Sequence, residues 1–284
     1  MNKVAIGVIA AAILLGLFVA GPAVARGLLG ARVSSEARLL FAGVSESSDT
    51  VTEQDLEPLP ENVRQWLQGA GVVGKKPASA VRLRQSARMR LEPEGSWMPV
   101  EAVQYFVTQE PGFIWAADVR AAPLVHIKGI DRYLDGRGHM QIRLLSLFPV
   151  ADSRGEEIDQ GTLLRYLVET VWFPSAVLGE HIVWEGLDES RSQATMTYGG
   201  ITASAVFVFN EAGDVVNVHA RRYGEFDGEF RLETWSIDLW DHGEFDGIRI
   251  PARGEITWKL EGGDFHWFDF HVMDIEYDTP VPYV

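Results

Sequence analysis

Apolar and polar residues alternate along most of this chain, and a period of two is typical of half-buried β-strands. From Val81 to Leu91 apolar residues face one way, while Arg82, Arg84, Arg88 and Arg90 face the other. We interpret these arginines as a solvated outer face balanced by nearby carboxylates, and an anion-binding stripe is the alternative. The same period predicts further strands at 97–109, 113–119, 124–133, 139–145, 182–186, 193–198, 201–209, 215–223, 229–240, 248–260 and 265–277.

Short turns that contain glycine separate the predicted strands. Asp135-Gly136, Asp227-Gly228 and Asp246-Gly247 are Asx-Gly pairs, which supply the positive φ that tight hairpins require. The five residues 224–228 recur as residues 243–247, and we interpret this echo as two successive turns of a meander. The chain is therefore predicted to form consecutive antiparallel hairpins.

One segment in the middle of the chain has helical periodicity instead. Asp159 is placed to cap a helix that ends at Phe173-Pro174, with Arg165 and Glu169 on the face opposite its apolar residues. The apolar stripe consists of Leu163, Leu164, Leu167, Val168, Val171 and Trp172. We therefore expect a mainly β fold, in which a strongly curved antiparallel sheet, a half-barrel, wraps around this one central helix.

The N-terminal segment from Val4 to Ala25 contains no charged residue. As a helix it would be about 33 Å long, enough to cross a hydrocarbon core of ~30 Å. We predict an N-terminal membrane helix or signal segment over residues 1–30, a linker over 31–55 and a single β-rich half-barrel domain over 56–284. Because Ala23-Val24-Ala25 fits the rule for signal cleavage, a secreted or periplasmic domain is the alternative to a single-pass membrane protein with an extracytoplasmic domain.

Composition excludes several classes of function. The formal net charge of −15 repels phosphate backbones, and no dense run of lysine and arginine offsets it. We therefore expect no nucleic-acid partner. The chain has no cysteine, which excludes disulfides, thiolate metal sites and a cysteine nucleophile.

The sequence contains no arrangement of residues that predicts catalysis or metal binding. His266 and His271 lie on one predicted strand without the spacing of zinc ligands. Asp131 and Asp135 lie close in sequence, but we expect Asp131 to pair with a neighbouring arginine and Asp135 to form a turn. No nucleophile elbow and no phosphate-binding loop is present. We therefore predict no catalytic residue, no metal and no cofactor, and we favour a non-enzymatic protein.

Aromatic residues are more numerous than a few strands need, and several strands are apolar on both faces. Most of these residues are expected in the core, and the rest can line a cavity between helix and sheet that a lipid or acyl chain could enter. Arg221 and Arg222 close a strand, so one of them could face inward and hold a ligand carboxylate or phosphate, and an ordinary ion pair is the alternative. We choose Arg221 as the candidate. The candidate ligand-binding residues are Leu164, Leu167, Val168, Val171, Trp172, Trp184, Phe207, Trp235, Trp258 and Arg221.

Several long motifs resemble a prokaryotic family of membrane-anchored domains of unknown function. They are GIDRYLDG at 129–136, IDQGTLLRYLVETVWFP at 158–174, VWE at 183–185 and IPARGEITW at 250–258, within a likeness over roughly residues 80–277. The fold expected for this family is similar to LolA/LolB-type lipoprotein carriers, in which a half-barrel wraps an internal helix around an apolar cavity. The resemblance brings no catalytic residues.

Three functions follow as hypotheses. We favour non-enzymatic binding of a hydrophobic ligand, a lipid or an acyl chain, at the cell envelope, which requires a continuous apolar cavity. An envelope hydrolase would require convergent, partly buried carboxylates at the rim of the sheet. A structural protein-interaction domain would require an exposed apolar patch and no cavity.

Overall fold

The computed structural model describes the backbone of residues 3–45 and 47–283, and the side chains of residues 20–45 and 47–283. Its strands are β1 (Ala80–Met89), β2 (Met98–Val107), β3 (Gly112–Ala122), β4 (Val125–Leu134), β5 (Arg137–Leu144), β6 (Phe148–Ser153), β7 (Ile182–Gly186), β8 (Arg191–Tyr198), β9 (Ile201–Phe209), β10 (Val215–Phe226), β11 (Glu229–Phe245), β12 (Ile248–Leu260) and β13 (Gly263–Tyr277). In the described part of the chain they form one antiparallel sheet, in the order β6-β5-β4-β3-β2-β1-β13-β12-β11-β10-β9-β8-β7.

The sheet curls into a half-barrel around the helix α4 (Glu156–Glu169), which contacts strands from both halves, among them β4, β5, β9 and β10. The predicted architecture of a curved antiparallel sheet wrapped around one central helix is therefore confirmed. Each predicted strand segment corresponds to an observed strand. The sequence did not predict β6, which pairs with β5 at one edge of the sheet.

Hairpin turns follow the predicted chemistry where aspartate precedes glycine. Both residues of Asp227-Gly228 have positive φ, at 55° and 81°, and so do both residues of Asp246-Gly247, at 51° and 74°. The repeated five-residue segment thus forms the turns of two successive hairpins, β10–β11 and β11–β12. The turn before β6 is different, because Leu145 and Ser146 have φ of 54° and 59°. Leucine and serine rarely adopt this region, so the turn and the strand after it carry no sequence signal.

The central helix begins earlier than its sequence suggested. Gly155 precedes its first turn, and Asp159, predicted as the capping residue, lies inside the helix and is 5% exposed. Its carboxylate accepts hydrogen bonds from the backbone N–H of Gly138 at 2.7 Å and from Arg137 at 3.0 Å. The prediction of a cap at Asp159 was wrong because this carboxylate bonds β5 and not the end of its own helix.

The core lies between α4 and the concave face of the sheet. The apolar stripe predicted for the helix is buried in full, with Leu163, Leu164 and Leu167 entirely inaccessible. Phe106, Phe113 and other inward side chains of the sheet pack in the same cluster. The chain leaves α4 through short 3-10 turns at Thr170–Trp172 and Pro174–Leu178.

Two short helices, α2 (Glu53–Leu56) and α3 (Glu61–Ala70), precede the sheet. Gly71 ends α3 in a left-handed conformation with φ of 76°, as is common at helix C-termini. Trp66 of α3 packs against Trp184 and Phe207, with ring centroids 6.3 and 5.9 Å away. The three rings close one end of the core.

The N-terminal helix α1 (Lys3–Phe41) covers the convex face of the sheet with its C-terminal part. Leu29, Val33, Ala37 and Phe41 are buried there against side chains of β2, β3 and β4. Glu36 of this helix also accepts a hydrogen bond from the Nε of Arg132 at 2.7 Å. Residues 29–41 are thus packed on the sheet.

The predicted membrane segment lies mostly outside the residues whose side chains are described, since these begin at residue 20. Among the described residues, no helix has the length and apolar character needed to cross a membrane.

Candidate functional site

A cavity of about 570 Å³ lies between the C-terminal half of α4 and the concave face of the sheet. This volume is in the range of small-molecule sites, about 300 to 1,000 Å³. The lining side chains are mostly aliphatic, methionine or aromatic. They include Met89, Met98, Trp115, Val119, Ile127, Met140, Ile142, Val168, Val171, Trp172, Val218, Trp235, Ile237, Leu239, Ile256, Trp267, Phe268 and Phe270.

The cavity reaches solvent near the hairpins β1–β2 and β5–β6. Leu91, just after β1, and Val150 of β6 both line the cavity, and each is 65% exposed. Phe148, which also lies on β6, is 59% exposed. We call Leu91 and Val150 the mouth of the cavity. The deeper lining residues Val168, Val171 and Phe270 are buried, so the apolar lining continues from the mouth into the core.

A buried ion-pair network crosses the wall formed by α4. Arg165 donates to Asp131 of β4 at 2.6 Å and to Glu169, one helical turn along, at 2.8 Å. The amide of Gln104 donates to the second oxygen of Glu169 at 2.7 Å. The guanidinium of Arg165 also lies 4.7 Å from the centre of the Trp115 ring, a cation–π contact. Asp131, Arg165 and Glu169 all line the cavity.

Burial and pairing act in opposite directions on these charges. Burial disfavours the charge of Arg165, but the attraction of Glu169 and then of Asp131 outweighs it and raises the pKa of this guanidinium. Burial raises the pKa of Glu169 above its usual value, although Arg165 and Gln104 favour the carboxylate. Each charged side chain offsets the desolvation cost of its partner. The network is therefore stable only when all of its members are present.

This network shows what the face of α4 opposite its apolar stripe meets. The two residues do lie opposite Leu163 and Leu167, as the helical period requires. However, α4 is enclosed by the half-barrel, so its polar face looks into the cavity, and the side chains of Arg165 and Glu169 are only 14% and 11% exposed. The expectation that Asp131 pairs with an arginine is confirmed, with Arg165 as the partner.

A second arginine lines the same cavity from β10. The Nε of Arg222 donates to the backbone oxygen of Gly161 on α4 at 3.3 Å. Its guanidinium lies 4.8 Å from the ring centre of Trp235 and 5.7 Å from that of Trp258. Burial, followed by repulsion from Arg165, lowers the pKa of Arg222 to about 10. Arg222 is therefore still charged at neutral pH.

The predicted ligand-binding residues divide into two groups. Val168, Val171, Trp172 and Trp235 line the cavity. The other six, which are placed elsewhere in the described structure, are Leu164, Leu167, Trp184, Phe207, Trp258 and Arg221. The predicted set is thus only partly brought together.

The six residues outside the cavity have identifiable roles in packing or at the surface. Leu164 and Leu167 are fully buried in the core, while Trp184 and Phe207 pack on Trp66 of α3. Trp258 supports Trp235, with ring centroids 6.4 Å apart. Arg221 is exposed and its guanidinium donates to the backbone oxygen of Leu232.

The choice of Arg221 over Arg222 was wrong, and the period of two could have decided between them. Val218 and Ala220 are buried on the concave side of β10, so alternation places residue 222 there and residue 221 outside. In contrast, nothing in the sequence pairs Arg165 with Asp131, because 34 residues separate them. Such a contact depends on where α4 lies against β4.

The outer face of the sheet carries the predicted arginines, and in the described structure two of the four, Arg82 and Arg88, pair with carboxylates as predicted. Arg82 donates to Glu276 at 3.0 Å and Arg88 pairs with Asp269. Among the described residues one group of possible metal ligands occurs beside Arg88, namely Glu255, His266 and Asp269. Since Arg88 already supplies a positive charge to Asp269, ion pairing accounts for this group.

Comparison with known proteins gives a family match and distant structural likenesses. A family model described as "Family of unknown function (DUF6544)" matches residues 49–270. No curated protein matches the chain. The resemblance to a family of unknown function, predicted from the motifs, is confirmed.

Solved structures of similar fold include three bacterial proteins. A DUF1329 family protein from Desulfovibrio piger is 10% identical with a TM-score of 0.44, covering 79% of this chain and 95% of that one. A LolA superfamily protein from Nitrosomonas europaea is 10% identical with a TM-score of 0.43, covering 78% and 94%. A putative outer membrane lipoprotein-sorting protein domain from Vibrio parahaemolyticus is 9% identical with a TM-score of 0.38, covering 72% and 87%.

Proposed function

The chain belongs to DUF6544, a family of unknown function, and we propose from the cavity itself that it is a non-enzymatic binding protein for a hydrophobic ligand, a lipid or an acyl chain. The observation that carries this proposal is the cavity of about 570 Å³, whose apolar lining runs from an exposed mouth to the buried face of α4. Such a lining favours an alkyl chain, because each buried methylene contributes about 0.8 kcal/mol.

The proposed location is the cell envelope, with the half-barrel outside the cytoplasm. Its support is the uncharged segment Val4–Ala25, which is long enough to cross a bilayer as a helix. Residues 22–27 of α1 border a groove with residues 120–126 at the β3–β4 turn. His126 in turn bonds Ser146 at 2.9 Å, next to the β5–β6 hairpin of the mouth. A membrane-inserted segment would therefore hold the mouth near the lipid.

The hydrolase hypothesis has less support in this site. Asp131 and Glu169 are carboxylates that converge in the cavity, but both are ion-paired with Arg165. Arg165 and Gln104 already occupy both carboxylate oxygens of Glu169, and Arg165 occupies one oxygen of Asp131. The pairing favours a structural role, and an apolar wall is in any case poorly suited to hold a water molecule for hydrolysis.

Filling the cavity tests the proposal. Val168 is 2% exposed and lines the cavity, so Val168→Trp should block it. Val183→Trp is the matched control, because Val183 is 69% exposed and lies outside the cavity lining. We expect an uncharged fluorescent probe to bind the wild-type full chain and Val183→Trp, and to bind Val168→Trp at least about tenfold more weakly. Equal binding by a folded Val168→Trp would show that the probe lies elsewhere.

A further inference from the structure

We infer that Arg222 binds the carboxylate of the ligand inside the cavity, so that the ligand class is a single-chain fatty acid. This inference rests on the proposed function and makes it more specific. It gives the acidic headgroup a position on β10 against α4, and leaves the apolar lining for the alkyl chain.

Arg222 is the arginine in the cavity wall without a carboxylate partner. Within the described residues its one hydrogen bond is the contact with Gly161, and it forms no ion pair. The two carboxylates of the cavity are both engaged by Arg165, at 2.6 and 2.8 Å. Arg222 is partly buried and touches no carboxylate, so Asp131 and Glu169 act on its charge only through space. The carboxylate of a ligand in direct contact would offset the cost of taking this guanidinium out of water.

The surroundings of Arg222 suit a carboxylate. The rings of Trp235 and Trp258 hold its planar guanidinium, and only the Nε is used by Gly161. The remaining N–H groups can bind two carboxylate oxygens side by side. The indole N–H of Trp235, whose ring the guanidinium contacts, is also buried and has no hydrogen-bond partner in the described structure.

The rest of the lining suits one alkyl chain. Ile237 and Leu239 on β11, the strand next to β10, and Phe268 and Phe270 on β13, beyond β12, present apolar side chains to the same space. No further unpaired cation lines the described part of the cavity, since Arg165 is already neutralised. One positive group and an apolar space match a monocarboxylic acid better than a headgroup with several charges.

The test compares ligands that differ only in their headgroup. Dodecanoate, dodecanol and dodecyl phosphate would be titrated by calorimetry into the full chain held in lipid nanodiscs, with empty nanodiscs subtracted. In the wild-type protein we expect dodecanoate to bind about tenfold or more tighter than dodecanol, the effect of one charge-assisted contact. Dodecanoate should also bind tighter than dodecyl phosphate.

Variants of the two adjacent arginines then locate the headgroup. Arg222→Met should lower the affinity for dodecanoate by about 10-fold to 100-fold and leave dodecanol binding nearly unchanged. The affinity of Arg222→Lys for dodecanoate should lie between those of the wild type and Arg222→Met, because lysine keeps the charge and loses the planar guanidinium. Arg221→Met should bind both ligands as the wild type does, because Arg221 is exposed.

The possible outcomes separate this inference from the proposed function. If the wild type binds dodecanoate and dodecanol equally, or Arg222→Met leaves dodecanoate binding unchanged, the inference is wrong while the proposed function stands. If dodecyl phosphate alone binds in an Arg222-dependent way, the carboxylate class is wrong. If the folded wild type binds none of the ligands, the proposed function itself fails. If Arg222→Met does not fold, the comparison of dodecanoate with dodecanol in the wild type still tests whether the cavity prefers a carboxylate.

Discussion

Arg165 is the residue on which the wall of the cavity depends. It joins α4 to β4 through Asp131 and spans one turn of α4 through Glu169. A charge buried in this wall is stable only when its partners offset the cost of its desolvation. Removing one partner should therefore be more harmful than removing a surface charge.

Glu169→Ala tests this dependence. The substitution leaves the Nε of Arg165 and the amide of Gln104 without an acceptor, so we expect a loss of about 2 kcal/mol in the free energy of unfolding. Glu180→Ala is the control, since the Glu180 side chain is 89% exposed, and it should change stability by less than ~0.5 kcal/mol. Denaturant unfolding measures both, and equal effects of the two substitutions would contradict the network.

His242 makes stability depend on pH. Burial lowers the pKa of His242 from its ordinary value of 6.5, and Asp214 and the carbonyl of Val215 offset this only in part. The unfolded chain then binds more protons than the folded one below pH 6.5, so the stability contributed by neutral His242 is present above that pH and is lost as the pH falls towards the lowered pKa.

Replacement of His242 by glutamine should remove this contribution to the pH dependence. We expect the free energy of unfolding of the wild type to fall more steeply on acidification below pH 6.5 than that of His242→Gln. Denaturant unfolding across this pH range gives both slopes. Parallel curves would mean that His242 has the same pKa in the folded and unfolded states.

At the scale of elements, close contact between β5 and α4 sets the position of the central helix. Gly138 of β5 faces the first turns of α4, and a Cβ added there would lie 2.6 Å from the backbone oxygen of Ile158 and would also meet Thr162. Real Cβ atoms do not approach backbone oxygens so closely. The strand and the helix can be this near only because residue 138 is glycine.

Gly138→Ala should therefore push α4 away from β5 and destabilise the fold by about 1 to 3 kcal/mol, the usual cost of overpacking. Gly129→Ala on the neighbouring strand is the matched control, because its added Cβ would meet only the Trp115 ring, at 3.4 Å. Thermal unfolding of the two variants distinguishes them. An unchanged melting temperature for Gly138→Ala would place the helix further from the strand.

The elements were predictable where their local chemistry and their packing agree. Asp227-Gly228 and Asp246-Gly247 form turns because residues of this type tolerate positive φ. The strand β6 was not predictable, since Leu145 and Ser146 take positive φ against their preference. The helical period gave the two faces of α4 correctly, but a period does not reveal whether the second face meets solvent or a cavity.

At the scale of the whole molecule, α1 joins the N-terminal part of the chain to the half-barrel. Its residues Leu29, Val33, Ala37 and Phe41 pack on the convex face of the sheet, and Glu36 pairs with Arg132. The motifs predicted a likeness to a family of unknown function over roughly residues 80–277, and the family match covers residues 49–270. The sequence did not predict that α1 packs on the sheet, because the apolar residues of α1 continue the apolar pattern of the N-terminal segment.

Two truncated chains distinguish membrane attachment from the packing of α1 on the sheet. We expect the full chain to fractionate with membranes and a chain beginning at Arg26 to be soluble, with its folded domain intact. A chain beginning at Leu56 should unfold at a lower temperature, because burial of each large side chain of α1 contributes about 1.5 to 3 kcal/mol. Equal melting temperatures of the two truncated chains would show that α1 adds nothing to the stability of the half-barrel.

The most direct test of hydrophobic-ligand binding is mass spectrometry of the small molecules extracted from the purified full chain, with Val168→Trp treated identically. We expect the wild type to carry an acyl-chain compound in near-stoichiometric amount and the folded variant to carry far less, because Val168 lines the cavity. A well-folded wild type that carries no apolar compound, and binds none when it is offered, would contradict it.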